Sequence, residues 1–126
     1  MFACPIPKVY QSATGDGMLS KIAELNDQLR QNLFTPGQNQ VFISNGVNSL
    51  LYIEQVRLLD KVQKFNDFNE ENNPYGERDF SRIEHQGINY FWKIDYYNKT
   101  MDAGSENPAD ETITTRVLTI MRSDEY

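Results

Sequence analysis

The chain has 126 residues, of which 39% are hydrophobic, and it carries a net charge of −6 with a single cysteine. A chain of this length fits one domain, and its apolar content excludes an intrinsically disordered protein. Cys4 alone cannot close an intramolecular disulfide or build a cysteine-rich zinc site, and the negative charge disfavours direct binding to nucleic acid.

Residues 1–19 predict a loose N-terminal arm, and residues 20–126 predict a single domain. The arm shows little hydrophobic periodicity and contains several turn-forming residues, Pro5, Pro7, Gly15 and Gly17. It has no basic head followed by an apolar run, and the chain has no apolar window of about 18 residues. We therefore expect a cytoplasmic protein without membrane contact.

Helical periodicity begins at Ser20, which is a suitable N-cap. Apolar residues recur along one helix face at Ile22, Leu25, Leu29 and Leu33. Pro36 and Gly37 then predict the end of this first helix. The β-branched and aromatic run at residues 40–44 predicts a short strand, and the "NGVNS" after it predicts a turn.

A second helix is predicted over about residues 51–66 by an apolar stripe at Ile53, Val56, Leu59 or Leu58, Val62 and Phe65. Asp60 and Lys64 are spaced to form an ion pair on its outer face. The stretch "ENNPYGERDF" at residues 71–80 follows, and its Asn, Pro and Gly residues are typical of turns.

Three strands are predicted after this turn. The runs "DFSRIEH" and "INYFWKIDYY" are joined by Gln86-Gly87, a hairpin signal, and the alternation of the second run places Tyr90, Trp92, Ile94 and Tyr96 on the core face. A long acidic loop, residues 98–112, indicates a functional or mobile segment. The final run, "TITTRVLTIMRS", has apolar residues on both faces and predicts a central or covered strand. The predicted fold class is therefore α+β, with two helices packed on one face of a small antiparallel sheet of about four strands.

The negative charge lies in the second half of the chain. Residues 1–66 carry six basic and five acidic side chains, whereas residues 67–126 carry six basic and thirteen acidic ones. Such a field attracts basic surfaces, which favours a basic protein partner. The alternative is that the charge serves solubility alone.

Two chemical interpretations of residues 71–79 compete with a solvated turn. The oxygens of Asp67, Asn69 and Glu71 resemble the start of a calcium loop, but Asn72 and Arg78 stand where an EF-hand needs glycine and glutamate. A metal-dependent hydrolase or nuclease would use Glu71, Glu77 and Asp79, with His85, the single histidine, as a further candidate. We expect His85 to be an exposed turn residue, and we expect no catalytic residue, metal or cofactor.

Several runs in order resemble the short bacterial proteins of domain-of-unknown-function family 3768. They are "LNDQLR", "FNDFNEENNPYGERDF", "INYFWKIDYYNK" and "NPADETITTRVLTIMRSDEY", and the likeness covers roughly residues 20–126. The resemblance implies membership without an assigned activity, and it implies genes carried on plasmids, integrated elements and phages.

A small acidic protein from mobile DNA is expected to bind and inhibit a basic nucleic-acid-handling host protein, with a defence nuclease complex as one candidate. Carboxylates can occupy a groove that is built for phosphates, as in anti-CRISPR proteins of the DNA-mimic type. The expected binding residues form an acidic surface of Glu70, Glu71, Glu77, Asp79, Asp102, Glu106, Asp110 and Glu111. The alternatives are the metal-dependent hydrolase and a housekeeping or assembly role.

Overall fold

A computed structural model describes residues 15–126 of the chain, so residues 1–14 of the expected arm lie outside the described range. The elements are α1 (Gly15–Arg30), β1 (Gln40–Ile43), α2 (Asn45–Asn48), α3 (Tyr52–Lys64), β2 (Phe80–His85), β3 (Ile88–Tyr97), β4 (Thr115–Arg122) and a 3₁₀ helix at Ser123–Glu125. None of the helices within this range is both long and apolar enough to cross a membrane.

Four strands form one open sheet in the order β1-β4-β3-β2. The pairs β2–β3 and β3–β4 are antiparallel, as predicted, whereas β1 runs parallel to β4 with Gln40 opposite Val117. The α+β class and the four strands are confirmed, and the sheet is mixed rather than purely antiparallel. β4 lies between β1 and β3. This position confirms that the run with apolar residues on both faces, "TITTRVLTIMRS", forms a central strand.

The core lies between the sheet and the two longer helices. Its buried members include Ile22, Leu29 and Leu33 from α1 and its C-terminal turn, Leu58 and Val62 from α3, and Trp92, Ile94, Tyr96, Leu118 and Ile120 from the sheet. The predicted core faces of α1 and β3 are thus confirmed. The stripe predicted for α3 was wrong at its start, because Ile53 is 50% exposed.

Two predictions about where helices begin were wrong. α1 begins at Gly15 rather than at Ser20. The "NGVNS" segment forms α2 instead of a turn, and the side chain of its N-cap Ser44 accepts a hydrogen bond from the Val47 amide. The hydroxyl of Ser44 also donates to Glu125 at 2.6 Å, and this partner lies too far along the chain for a local pattern to reveal it.

The buried side chain of Arg30 ties α1 to α3. Its Nη1 donates to the main-chain carbonyls of Val62, Gln63 and Phe65 at 2.7–3.0 Å, and its Nη2 donates to Asp27 at 3.0 Å. The last carbonyls of a helix have no partner within the helix, and a cation also suits the negative end of the helix dipole. Arg30 therefore caps the carboxyl end of α3 in addition to the local hydrogen bond from the Phe65 amide to the Val62 carbonyl.

Candidate protein-interaction surface

Two acidic segments leave the sheet at the same end. Phe80, the first residue of β2, lies opposite Lys93, and Thr115, the first residue of β4, lies opposite Tyr97, the last residue of β3. The connections that precede β2 and β4 must therefore lie at the carboxyl end of β3. We call these two segments, residues 66–79 and 98–114, the loop end of the sheet.

The loop end collects most of the acidic residues that the sequence singled out. Glu70, Glu71, Asp102, Glu106 and Glu111 are exposed there, and Asp79 and Asp110 are half-buried. The same two segments contain only two basic residues, Arg78 and Lys99. These acidic residues therefore belong to two segments at the same end of the sheet.

The ion pairs of the described chain lie mostly elsewhere. Asp60 pairs with Lys64 at 3.0 Å on α3, as predicted, and Lys93 pairs with Asp95 at 2.6 Å within β3. Arg78, which does lie at the loop end, turns inward to Asp27 of α1 at 2.7 Å. Within residues 15–126, no ion pair joins a basic side chain to the exposed or half-buried acids Glu70, Glu71, Asp102, Glu106, Asp110 or Glu111.

Glu77 does not belong to this exposed set, and the prediction for it was wrong. Its side chain is 1% exposed, and its Oε1 accepts a hydrogen bond from the Tyr96 hydroxyl at 2.8 Å. Asn26 of α1 donates to both the Glu77 carbonyl and the Tyr96 oxygen, at 2.9 and 2.7 Å. The partners are 51 and 70 residues from Asn26 in sequence, so no local pattern could place Glu77 in the interior.

Arg116 extends this buried network to the other acidic segment. Its Nε donates to Oδ1 of Asn26 at 2.7 Å, and its Nη2 donates to the carbonyl of Pro108 at 2.5 Å. We call Asn26, Glu77, Tyr96 and Arg116 the buried network. Because it contacts both segments of the loop end, it fixes their positions relative to α1 and to each other.

The second segment is held by its own side chains rather than being a loose loop. Asp102 accepts hydrogen bonds from Thr100 and Asn98 at 2.7 Å each, and Asp110 accepts from the Thr112 amide at 2.9 Å. Hydrogen bonds from the Thr100 and Asn98 side chains hold the pKa of Asp102 below its ordinary value, and those from Thr112 do the same for Asp110. Both carboxylates therefore stay ionised over a wider pH range.

The turn at residues 69–73 is built by asparagines, as the solvated-turn interpretation predicted. Oδ1 of Asn69 accepts from the amides of Glu71 and Asn72, and Oδ1 of Asn72 accepts from the Asn69 amide at 2.8 Å. No group of three or more His, Cys, Asp or Glu side chains in the described range lies close enough to hold a metal ion. The geometry therefore gives no support to a metal-dependent hydrolase that uses Glu71, Glu77 and Asp79.

His85 is buried, and its predicted exposure was wrong. It is 4% exposed, and its Nε2 lies 2.9 Å from Oε1 of Glu54 on α3. Although burial acts to raise the pKa of Glu54, the hydrogen bond from His85 and the charge of Arg57 hold it below its ordinary value. The alternation of residues along β2 could have predicted this burial, because His85 lies on the same strand face as the buried Ile83. His85 also lies at the end of β2 opposite to the loop end.

A groove of about 590 Å³ runs beside the start of β2, and we call it the β2-edge groove. Phe80, Ser81 and Arg82 of β2 line it together with Lys93 of β3. The residues between α3 and β2 supply acidic and aromatic groups to its lining, among them Asp67, Glu71, Tyr75 and Asp79. The groove is therefore continuous with the loop end.

One family model, described as a protein of unknown function (DUF3768), matches residues 43–125. No curated protein and no solved structure matches the chain. The matched range contains α3, β2, β3 and β4 together with both segments of the loop end, and it begins after α1. The resemblance identified from the sequence is confirmed over this range.

Proposed function

The chain belongs to this family of proteins of unknown function (DUF3768), and we propose that it is a non-enzymatic binding protein whose loop end engages a basic protein. The partner that we infer is a nucleic-acid-handling protein of a bacterial host cytoplasm, and the gene would be carried by a mobile element. Carboxylates of the loop end would occupy the partner's phosphate-binding surface and block nucleic acid from it.

The observation that carries the proposal is the set of carboxylates without ion pairs at the loop end. Exposed acids that pair with neighbouring lysines present little net field to a partner, whereas clustered acids without such neighbours attract a basic surface and accelerate encounter. Glu70, Glu71, Glu106 and Glu111 are all exposed at this end of the sheet. The two basic residues of the same segments do not form ion pairs with them, because Arg78 is engaged with Asp27 and the ammonium of Lys99 donates to the side chain of Gln38.

Preorganisation of the two segments also supports a binding role. Ordering a flexible loop on association costs about 0.5–1.5 kcal/mol for each immobilised long side chain, in addition to the backbone cost. Here the buried network and the hydrogen bonds of Asp102 and Asp110 already hold the backbone. A partner would therefore meet two segments whose backbone is already ordered.

Affinity capture from a nuclease-treated bacterial lysate tests the proposal. The immobilised chain is expected to retain basic nucleic-acid-handling proteins at about 50 mM salt and to release them at about 500 mM, where the Debye length is shorter. A variant with Asp110→Lys and Glu111→Lys should retain less of the same proteins.

The matched control changes the net charge equally at the other end of the sheet. Glu84→Lys and Asp124→Lys alter exposed acids that lie near the β2–β3 hairpin and after β4. This control should capture the same proteins as the unmodified chain. Equal loss in both variants, or capture that salt does not affect, would contradict the proposal.

A further inference from the structure

Among residues 15–126 no strand pairs with the outer edge of β2, and the pairing register shows which main-chain groups this edge presents. The amide of Ile94 donates to the carbonyl of Asp79 at 2.8 Å, so residues 79 and 94 form a hydrogen-bonded pair of the antiparallel ladder. Hydrogen-bonded pairs alternate along such a ladder. Ser81, Ile83 and His85 therefore bond to β3, whereas Phe80, Arg82 and Glu84 direct their N–H and C=O groups away from the sheet.

A side-chain contact confirms this direction at Glu84, whose carbonyl accepts a hydrogen bond from Nζ of Lys61 at 3.1 Å. The situation differs at Phe80 and Arg82. Within the part of the chain that the structure describes, the outward amides and carbonyls of Phe80 and Arg82 make no hydrogen bond. An edge of this kind is a template on which another extended chain can pair.

The β2-edge groove is lined by Phe80 and Arg82, the two residues whose outward main-chain groups are unbonded within the described range. Phe80, Ser81 and Arg82 line it, which means that it follows the strand rather than a single side chain. Its volume of about 590 Å³ is enough for a short peptide segment. Asp67 and Glu71, which are exposed, also line this groove.

We propose that an extended segment of the partner, rich in lysine or arginine, adds as a fifth strand along Phe80–Arg82. The inference rests on the proposed function, because it names how the basic partner engages the loop end. Main-chain hydrogen bonds to Phe80 and Arg82 would fix the register of the added strand. Every second side chain of that strand, being basic, would reach the carboxylates of Asp67 and Glu71. An apolar segment would lack this second set of contacts.

Hydrogen exchange of the full chain with a basic heptapeptide of alternating lysine and valine tests strand addition. At saturating peptide the amides of Phe80 and Arg82 should exchange about tenfold more slowly or slower still, whereas Ser81 and Ile83, already bonded to β3, should change little. This alternation is specific to a paired strand. A heptapeptide of alternating glutamate and valine is the control and should leave all four amides unchanged.

A pair of variants isolates the main-chain donor. Arg82→Pro removes the outward N–H without taking a donor from the β3 ladder, and Arg82→Val removes the same side-chain charge but keeps the N–H. The proline variant should bind the peptide at least about tenfold more weakly than the valine variant. Fluorescence of Trp92, the single tryptophan, checks that both variants keep their core.

Three outcomes would overturn the inference. Protection of the Phe80 and Arg82 amides in the chain without peptide would show that another segment or a second copy already occupies the edge. Salt-dependent peptide binding without slowing at these amides would overturn strand addition and leave the acidic surface standing. Absence of binding at every salt concentration would overturn the proposed function as well.

Discussion

The hydroxyl of Tyr96 donates a hydrogen bond to the carboxylate of Glu77 at 2.8 Å in the interior of the domain. This contact joins the end of β3 to the segment that precedes β2, and Asn26 and Arg116 carry the connection to α1 and to the second acidic segment. Two acidic segments that are distant in sequence are therefore positioned by one set of buried polar side chains.

Tyr96→Phe is expected to lower the free energy of unfolding by about 1–3 kcal/mol, because it removes a buried hydrogen bond and leaves polar partners behind. Urea denaturation followed by Trp92 fluorescence measures the change. Tyr97→Phe, at the next position on the other strand face, is the control and should shift stability by less than about 0.5 kcal/mol. Equal effects of the two substitutions would contradict the role of the Tyr96 hydroxyl.

Arg30→Met is expected to destabilise the fold by about 3 kcal/mol, because three carbonyls at the end of α3 and the Asp27 carboxylate each lose a hydrogen bond. Arg30→Lys should recover only part of this loss, since a single ammonium cannot reach all of these acceptors. Arg57→Met, on the exposed face of α3, should cost less than about 1 kcal/mol. Comparable denaturation midpoints for Arg30→Met and Arg57→Met would refute the capping role.

Gly46→Ala is expected to destabilise the chain by about 1–3 kcal/mol. A Cβ at this position would lie 2.5 Å from Oε1 of Glu125, so this carboxylate would have to shift and give up its hydrogen bonds with Ser44 and the Gly46 amide. In a Glu125→Ala background the same substitution should cost clearly less, because the obstructing group is gone. Gly17→Ala, whose Cβ would meet no atom within 4 Å, is the matched control and should leave stability unchanged or slightly higher.

The Asp110 carboxylate is expected to make the stability of the chain depend on pH. Its pKa is lowered in the folded state by hydrogen bonds from the Thr112 side chain and amide. The contribution of this group is therefore fully present above the unfolded-state pKa and is lost as the pH falls through the lowered folded-state pKa.

Chemical denaturation of the unmodified chain and of Asp110→Asn over an acidic pH series measures that contribution. The stability difference between the two should be largest near neutral pH and should shrink on acidification. In a Thr112→Val background the pH-dependent part of the difference should decrease, because one hydrogen bond to the carboxylate is absent. A difference that grows on acidification would contradict the assignment.

Local patterns in the sequence predicted the elements whose causes are local. The alternation in "INYFWKIDYY" predicted β3, and Gln86-Gly87 predicted the hairpin, where both residues adopt positive φ angles of 53° and 78°. The apolar spacing of Leu25, Leu29 and Leu33 likewise predicted the buried face of α1 and its C-terminal turn. In each case the signal and the structure that it produces lie within a few residues of each other.

The features that the sequence did not predict depend on distant partners. The parallel pairing of β1 with β4 joins residues near position 40 to residues near position 118. Glu77 is buried because Asn26 and Tyr96 meet it in the interior, and His85 is buried because α3 packs Glu54 against it. The charge imbalance predicted an acidic surface, but only the strand register places its two segments at one end of the sheet.

The salt dependence of binding to a labelled octa-arginine peptide tests the central claim most directly. The dissociation constant is to be measured by fluorescence anisotropy over about 50–300 mM salt for three proteins: the unmodified chain, the double variant Asp110→Lys with Glu111→Lys, and the double variant Glu84→Lys with Asp124→Lys. We expect weaker binding and a flatter salt dependence for the variant with Asp110→Lys and Glu111→Lys, and for this variant alone. The same slope for all three proteins would contradict the claim that carboxylates at the loop end form the binding surface.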